Sequence, residues 1–405
     1  MNNKLRIAIV VSHPIQHFCP QYVSFTENKD IEFKVFFASA LGYKSYVDIN
    51  FKMEIAWGNL DLDKFDHTFL NGDAVIQPGK ELDAPSLENE LNIYKPAVLF
   101  SYGYFQKFQR RAYNWAIRNK VKIAYISDSE LRHAANHFQE FLKSFFLRRY
   151  FSKINYFLTM GNANEAYYKK YGIPVEKMIR MHYPIDFAQY KNTYLQKKML
   201  RNTTRQRYSI PENEIALAVV GKLVPWKNQD HIIDALQLLE PQGIYAHLFI
   251  LGSGEMKASW EQKAKQLKHS KVYFTGFVTI EELPAYYAAS DIYIHPASME
   301  PHSVAISEAI QMGCPVILSS RCGSYGEDDD VQEGKNGFVY EFGNIAELAA
   351  KIKLLVEDKK TREEFGRYSH EIAVAFQNNS HYVIIEKLIE RMNLVVNCKK
   401  PVTHS

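Results

Sequence analysis

The chain opens with a short apolar block, Leu5-Arg6-Ile7-Ala8-Ile9-Val10-Val11-Ser12, and blocks of this kind return along its whole length. Short β-branched runs bounded by turn residues predict strands buried on both faces, as in a parallel sheet. In the first half they fall at 5–12, 32–38, 97–102, 121–127 and 156–161. Apolar positions with a helical period lie at 85–93, 106–120, 135–151 and 164–171. Strand–helix alternation predicts a parallel sheet with helices on both faces. Residues 40–80 carry no regular pattern.

Residues 186–212 interrupt the series. They are rich in Lys, Arg, Asn, Thr and Gln, close on Ile210-Pro211, and read as the crossing between domains. A second series follows, with strands expected at 215–220, 246–251, 271–275, 291–295, 315–319 and 337–340. Its helices are expected at 229–239, 256–267, 280–289, 303–312, 345–357 and 361–376, with a last amphipathic helix over 381–394. The predicted layout is a first domain at 1–190, a linker at 191–212 and a second domain at 213–380. A helix and tail at 381–405 follow, the helix packing back on the first domain. The fold class is α/β: two doubly wound, Rossmann-like domains facing across a cleft. Ligands of such sheets bind beyond the carboxyl ends of the strands, so the cleft is the expected site.

Composition narrows the field. At 405 residues the chain exceeds one ordinary core. Hydrophobic residues at 46% and charged residues at 23% describe a soluble globular protein. A net charge of +4 makes no case for a nucleic-acid partner. The four cysteines, Cys19, Cys314, Cys322 and Cys398, form no C-x-x-C pair, which argues against a zinc site or a disulfide framework. The apolar run 7–11 is too short for a signal peptide, and no run approaches the ~18–20 residues of a membrane span. The expected location is cytoplasmic. The stretch 141–153, F-L-K-S-F-F-L-R-R-Y-F-S-K, leaves two readings open. It is a helix packed on the sheet with snorkelling basic ends, or a membrane-surface helix at the inner face of the membrane that brings the protein to a lipid-linked acceptor.

Four loops at predicted strand ends in the second half share one character. Gly221 follows an apolar strand, where a ligand can approach the backbone, and Lys222 and Lys227 can both reach one diphosphate. Gly252 and Gly254 form a second turn, and Gly276-Phe277-Val278 a third, whose backbone can meet a planar base. The fourth is Asp291 to Val316, where a strand runs into a loop with Glu300 and then a helix from about Ser303 that carries Glu308. A helix N-terminus has unpaired N–H groups and suits phosphate, and a carboxylate on it can accept hydrogen bonds from sugar hydroxyls. Taken singly, each glycine is a plain turn and each lysine a surface residue; together they describe a nucleotide-diphosphate pocket.

Residues 215–340 resemble the donor-binding half of retaining glycosyltransferases of family 4, which have the GT-B fold. The resemblance rests on G-K-L-x-x-x-K at 221–227, G-F-V-x-x-x-E-L-x-x-Y-Y at 276–287, Glu300 and Glu308 as E-x7-E, Gly313-x-Pro315-Val316-Ile317, and Asn336-Gly337. It implies a retaining hexosyltransferase that uses a nucleotide-diphosphate sugar such as a UDP-sugar, with a glycan, a lipid-linked sugar or a small molecule as acceptor. Bacterial polysaccharide or glycolipid synthesis is the implied setting. Lys222 and Lys227 would hold the pyrophosphate, Glu308 the ribose, and Glu300 the transferred sugar. Glu300, Lys222 and Lys227 are the implied catalytic residues. The N–H groups of Ser303, Val304 and Ala305 would meet the diphosphate. Two cations and a helix end suffice for a departing diphosphate, so no metal and no cofactor are expected.

The sequence departs from the family where Pro301-His302-Ser303 replaces the frequent Gly-Phe-Gly. His302 is counted with the donor site, and Ser303 is expected to cap the helix and offer its N–H. Candidates on the acceptor side are His13, His17, Tyr102, Asp128 and His133, at or near strand ends of the first half. A histidine titrating near neutrality can assist proton movement, although each of these residues also fits a structural role. Asp61-Leu62-Asp63 imitates a D-x-D metal motif, and Asp328–Asp330 reads as a solvated loop. A nucleotide-sugar epimerase of the same fold and a non-catalytic nucleotide-sugar-binding protein are the alternative functions.

Overall fold

The computed structural model describes residues 4–48, 53–55, 57–58, 60–131, 137–378 and 381–391. Strand β1 (Leu5–Val11) leads to helix α1 (Cys19–Phe25) and β2 (Ile31–Phe37). A small antiparallel pair, β3 (Tyr46–Asp48) and β4 (Met53–Ile55), and the short β5 (His67–Phe69) come next. Then follow α2 (Leu87–Tyr94), β6 (Val98–Tyr102), α3 (Lys107–Arg118), β7 (Lys122–Ile126), α4 (His137–Phe151), β8 (Tyr156–Thr159), α5 (Asn162–Lys170) and β9 (Met178–Arg180). The first sheet runs β5-β2-β1-β6-β7-β8-β9, with parallel neighbours throughout. Side chains alternate across it. Ile7, Ile9 and Val11 enter the core on one face, and Ala8 and Val10 enter the other, so a continuous apolar run serves two cores.

Helices α6 (Phe187–Tyr194) and α7 (Lys197–Arg207) carry the chain to β10 (Ala216–Val220). The second domain continues with α8 (Asp230–Leu239), β11 (His247–Leu251), α9 (Lys257–Ala264), β12 (Lys271–Gly276), α10 (Leu283–Ala289), β13 (Ile292–His295) and α11 (Val304–Gln311). It closes with β14 (Val316–Ser319), β15 (Gly337–Tyr340), α12 (Ile345–Glu357) and α13 (Lys359–Asn378). Its sheet order is β12-β11-β10-β13-β14-β15, again parallel. The order reverses direction between β10 and β13. Loops on either side of that point diverge and leave a crevice for a ligand.

The polar stretch 186–212 is formed largely by α6 and α7. Arg205 in α7 is buried, and its guanidinium donates to the carbonyls of Ala289, Pro211 and Glu214 at 2.9–3.0 Å and to Asp291 Oδ2 at 2.6 Å. Arg201 reaches Asp291 Oδ1 at 2.9 Å. A buried cation is tolerated when its donors are met in this way. The polarity of this stretch therefore reflects anchoring at the amino-terminal edge of the second sheet.

Helix α14 (His381–Arg391) puts Ile384, Ile385 and Leu388 into the first-domain core. Arg391 Nη1 donates to the Met178 carbonyl at 2.7 Å. Each buried aliphatic side chain contributes roughly 1.5–3 kcal/mol, so this return crossing is a firm second tether between the halves. In α4, Leu147, Tyr150 and Phe151 are buried, while Phe145 is 73% and Phe146 48% exposed. Among the described residues, no helix is long and apolar enough to cross a membrane.

Candidate functional site

The carboxyl ends of β10, β11 and β13 face a cavity of about 710 Å³ that is also walled by the first domain. Gly221 and Gly252 form part of its floor. Their loops are laced together: Gly221 N–H donates to Leu251 O at 2.9 Å, Leu223 N–H to Ser253 O at 2.9 Å, and Gly252 N–H to Gly276 O at 2.8 Å. A Cβ on Gly252 would lie 2.0 Å from the Gly221 carbonyl, and Gly252 has φ 143°. Only glycine lets the two turns touch. Gly254 and Gly276 stand behind this floor rather than against the cavity. A Cβ on Gly254 would meet the Leu223 carbonyl at 2.4 Å, so its role is to brace the loop. Phe277 and Val278 reach the cavity wall.

Lys222, Lys227, Glu300 and Glu308 all line this cavity. A 3-10 turn, Pro225–Lys227, turns the Lys227 ammonium onto Glu300, with which it forms an ion pair. His295, at the end of β13, is 2% exposed and sets Nε2 3.3 Å from the same Glu300 oxygen. Burial pushes the Glu300 carboxyl up, but His295 and the Lys227 charge outweigh it and hold its pKa at about 2. Burial keeps His295 below its usual range. Glu300 is thus an ionised carboxylate with a cation beside it.

Glu308 has the opposite character. It lies within α11, is 4% exposed, and accepts a hydrogen bond from the Tyr287 hydroxyl at 2.9 Å. Burial raises its pKa to about 7, with only partial opposition from the Tyr287 and Tyr190 hydroxyls. A carboxyl so poised gains from any ligand hydroxyl that donates to it.

At the start of α11 the expectation for Ser303 is corrected. Its side chain does not cap the helix, and its N–H is taken by the Ser324 hydroxyl at 2.8 Å. Val304 and Ala305, in the first turn, line the cavity, and their N–H groups have no carbonyl four residues back within the helix.

The reading of Asp328–Asp330 as a solvated loop is also corrected. Asp328 is exposed, but Asp329 and Asp330 are 1% and 2% exposed. Asp330 Oδ2 sits 2.8 Å from His302 Nε2 and 2.7 Å from the Ser307 hydroxyl. Burial alone would lower the pKa of His302, but Asp330 raises it, with help from Asp329 and Asp128. Tyr183, from the first domain, stacks on the His302 ring with centroids 5.1 Å apart and planes 7° apart.

On the first-domain side, His17 and Asp128 line the cavity. His17 lies 5.3 Å from the Tyr183 ring, and its buried Nε2 finds no hydrogen-bond partner among the described residues. Burial, with repulsion from His13, lowers its pKa to about 4, so it is a neutral imidazole at ordinary pH rather than one titrating near neutrality. Asp128 lines the cleft, and burial, with repulsion from Glu300, raises its pKa. His13 and Tyr102 are not on the cavity wall. His13 is held by Ser12 at 2.8 Å, and the Tyr102 hydroxyl meets that of Tyr22 at 3.3 Å. His133 lies outside the described residues. Asp61 pairs with Lys64 at 2.8 Å, and among the described residues no cluster of three His, Cys, Asp or Glu side chains is arranged to hold a metal.

The residues that sequence reasoning missed are His295, Tyr183, Gln16 and Trp57. His295 had a usable signal, since it ends a predicted strand that points at the site. Tyr183 follows β9, a strand too short to show in the pattern.

The carboxyl-terminal half of this arrangement has known relatives. Residues 201–372 match the family model Glycosyl transferases group 1. The chain is 29% identical over 126 residues to the sulfoquinovosyl transferase SQD2 of Arabidopsis thaliana, covering 31% of this chain and 24% of that one. It is 28% identical over 187 residues to a GDP-mannose-dependent α-(1-6)-phosphatidylinositol monomannoside mannosyltransferase of Mycobacterium tuberculosis, covering 43% and 46%. The chain thus spans under half the length of these curated relatives. Among solved structures, Anabaena HepE in complex with UDP and glucose superposes with a TM-score of 0.69 at 17% identity, covering 96% of this chain and 100% of that one. Sucrose-phosphate synthase from Thermosynechococcus elongatus gives 0.70 at 14%, covering 96% and 99%. At these identities the structures speak for the fold alone, which is the GT-B arrangement of two parallel-sheet domains.

Proposed function

We propose that this protein is a retaining glycosyltransferase of family 4 type that moves a hexose-type sugar from a nucleotide-diphosphate sugar to a hydroxyl acceptor. The observation that carries the reading is the convergence of Lys222, Lys227, the α11 N-terminus, Glu300 and Glu308 on one cavity at the switch point of the second sheet. In this reading Glu308 binds the ribose and Phe277 and Val278 flank the base. Lys222, Lys227 and the first turn of α11 hold the diphosphate. As the bond between the anomeric carbon and the phosphate oxygen breaks, negative charge grows on the diphosphate. Lys227 shares its charge between that oxygen and Glu300, which steadies the oxocarbenium-like sugar. The acceptor hydroxyl attacks on the face that the diphosphate leaves. Its proton passes to the departing phosphate oxygen, so no enzyme nucleophile is needed.

Metal independence belongs to the same proposal, because two lysines and a helix end supply the positive charge. The proposed acceptors include a lipid-linked one, since α4 exposes Phe145 and Phe146 next to the exposed Lys143, Arg148 and Arg149. The phosphatidylinositol-linked substrate named for the mycobacterial relative lends this class support.

The first test is thermal stabilisation by UDP-, GDP- and ADP-sugars, where a ligand at a hundredfold over Kd adds about 2.7 kcal/mol. The stabilising donor is then incubated with sugar, glycan and lipid-linked acceptors, with phosphatidylglycerol vesicles in one arm and EDTA in another. Expected is an α-linked product from an α-linked donor at a rate EDTA does not change. Inverted product, loss of rate in EDTA, or an epimerised donor formed without any acceptor would each reject the corresponding part of the proposal.

A further inference from the structure

The segment that follows β14 is clipped to the candidate donor site at three points. Gly323 N–H donates to the Glu300 carbonyl at 2.8 Å, and the Ser324 hydroxyl accepts from Ser303 N–H at 2.8 Å. The Asp330 carboxylate takes both His302 and Ser307. Glu300, His302, Ser303 and Ser307 are thus each hydrogen-bonded to this loop.

The other side of the same loop grips the first domain. The Asp329 carboxylate accepts the N–H of Asn162, the first residue of α5, at 3.0 and 3.1 Å. It also accepts from Arg180 Nη1 at 3.0 Å. Arg180 is held in place by Glu165 at 2.8 Å and by the Asp328 carbonyl at 3.0 Å. The fit is close on both sides. A Cβ on Gly161 would lie 2.6 Å from Asp329 Oδ1, and one on Gly326 2.8 Å from Asn162 Cγ. A carboxylate at a helix N-terminus with an arginine beside it is a strong, directional contact. It is also one that exists only while the two domains are seated together.

We propose that Asp329 and Asp330 are paired positioning residues: Asp329 latches the second domain onto α5, and Asp330 holds His302 beside the donor site, so that domain seating and His302 placement change together. The inference rests on the glycosyltransferase reading only for its consequence, which is that the donor site is completed when the first domain docks. Adjacent residues in a tight loop cannot move independently, and Tyr183 stacked on His302 makes a second contact across the same interface. The titratable groups facing His302 are Asp330 and Asp329 from the loop, and Asp128, His182 and Tyr183 from the first domain. Burial opposes protonation of His302, while Asp330, Asp329 and the first-domain Asp128 favour it, so the ring senses both sides of the interface.

The test uses the full chain with histidines labelled at 13Cε1, hydrogen exchange without ligand, and binding of whichever of UDP, GDP or ADP stabilises the unsubstituted protein. Asp330→Asn keeps a hydrogen-bond acceptor but removes the charge; the His302 titration should move at least one pH unit downward, and Asp330→Glu should recover part of it. Asp329→Asn, and independently Arg180→Lys, should speed amide exchange at least fivefold both at 159–165 and at 300–308. They should also shift the His302 titration and weaken nucleotide binding at least threefold. Faster exchange confined to 159–165 with an unmoved His302 titration would overturn the coupling. A wild-type chain that binds none of the three nucleotides would refute the donor reading, and the exchange and titration data would still decide the latch.

Discussion

The two walls of the cleft are built on different terms. The second-domain wall is charged and braced: Glu300 is held ionised between Lys227 and His295, and the glycine turns beneath it are laced backbone to backbone. The first-domain wall is largely aromatic and neutral, with His17 among Phe18 and Tyr183 and, among the described residues, one carboxylate, Asp128, on the cavity wall. A diphosphate needs fixed charge, and charge in a sheltered site must be arranged before the ligand arrives. A hydroxyl acceptor needs orientation and shelter from water, which rings supply at small electrostatic cost.

Three substitutions probe that contrast. The largest effect is expected from Lys227→Ala, which removes the cation at the point where leaving-group charge would grow. Turnover should fall by roughly 10²–10³, the usual loss for one such donor, with acceptor KM little changed. A selective rise in acceptor KM would put Lys227 on the wrong wall.

Glu308→Gln should weaken nucleoside-diphosphate binding by about 1.5–3 kcal/mol, the worth of hydrogen bonds to a charged group, as read by calorimetry. It should also stabilise the protein in a pH-dependent way. Burial raises the Glu308 pKa from 4.5 to about 7, so the folded state favours the neutral acid. The stability it contributes is complete below the unfolded pKa and declines as pH rises through the folded one. Glutamine is neutral at every pH, so the gain in Tm should be larger at pH 8 than at pH 5. Equal gains at both would mean that Glu308 is not held near neutrality.

The smallest effect is expected from Asp128→Asn. If Asp128 faces the acceptor as proposed, loss of its carboxyl should lower kcat/KM for transfer roughly tenfold. Nucleotide affinity should stay within about twofold, and a matched loss of nucleotide binding would erase the distinction between the walls.

Much of the molecule was legible from local pattern. The long strands of both sheets and the helices between them carry their own signal, because a parallel strand buried on two faces must be apolar along its length. Gly221, Lys222, Lys227 and Glu300 were legible for a related reason: each lies in a loop that follows a strand the pattern had already marked, and Glu308 lies on the helix that the last of these loops enters. What escaped lacked a local signature. The edge strands β5 and β9 are three residues long, too short for any periodicity. The helix α7 carried no apolar pattern because its polar face finds its partners elsewhere in the fold, in Asp291, Glu212 and nearby carbonyls.

The sequence by itself therefore determined the two-domain plan, the line of loops along one sheet edge and the identity of the charges they carry. Tertiary structure decided the state of those charges. Glu300 and Glu308 are the same residue eight positions apart, yet one is held at about pKa 2 by Lys227 and His295 while the other is raised to about 7 by burial. Asp329 and Asp330 read as solvent-facing because nothing nearby in the chain could bury them. Arg180 and Asn162, the partners that make burial of Asp329 tolerable, lie 149 and 167 residues away. A carboxylate's surroundings are set by whatever folds against it, and no local pattern carries that information.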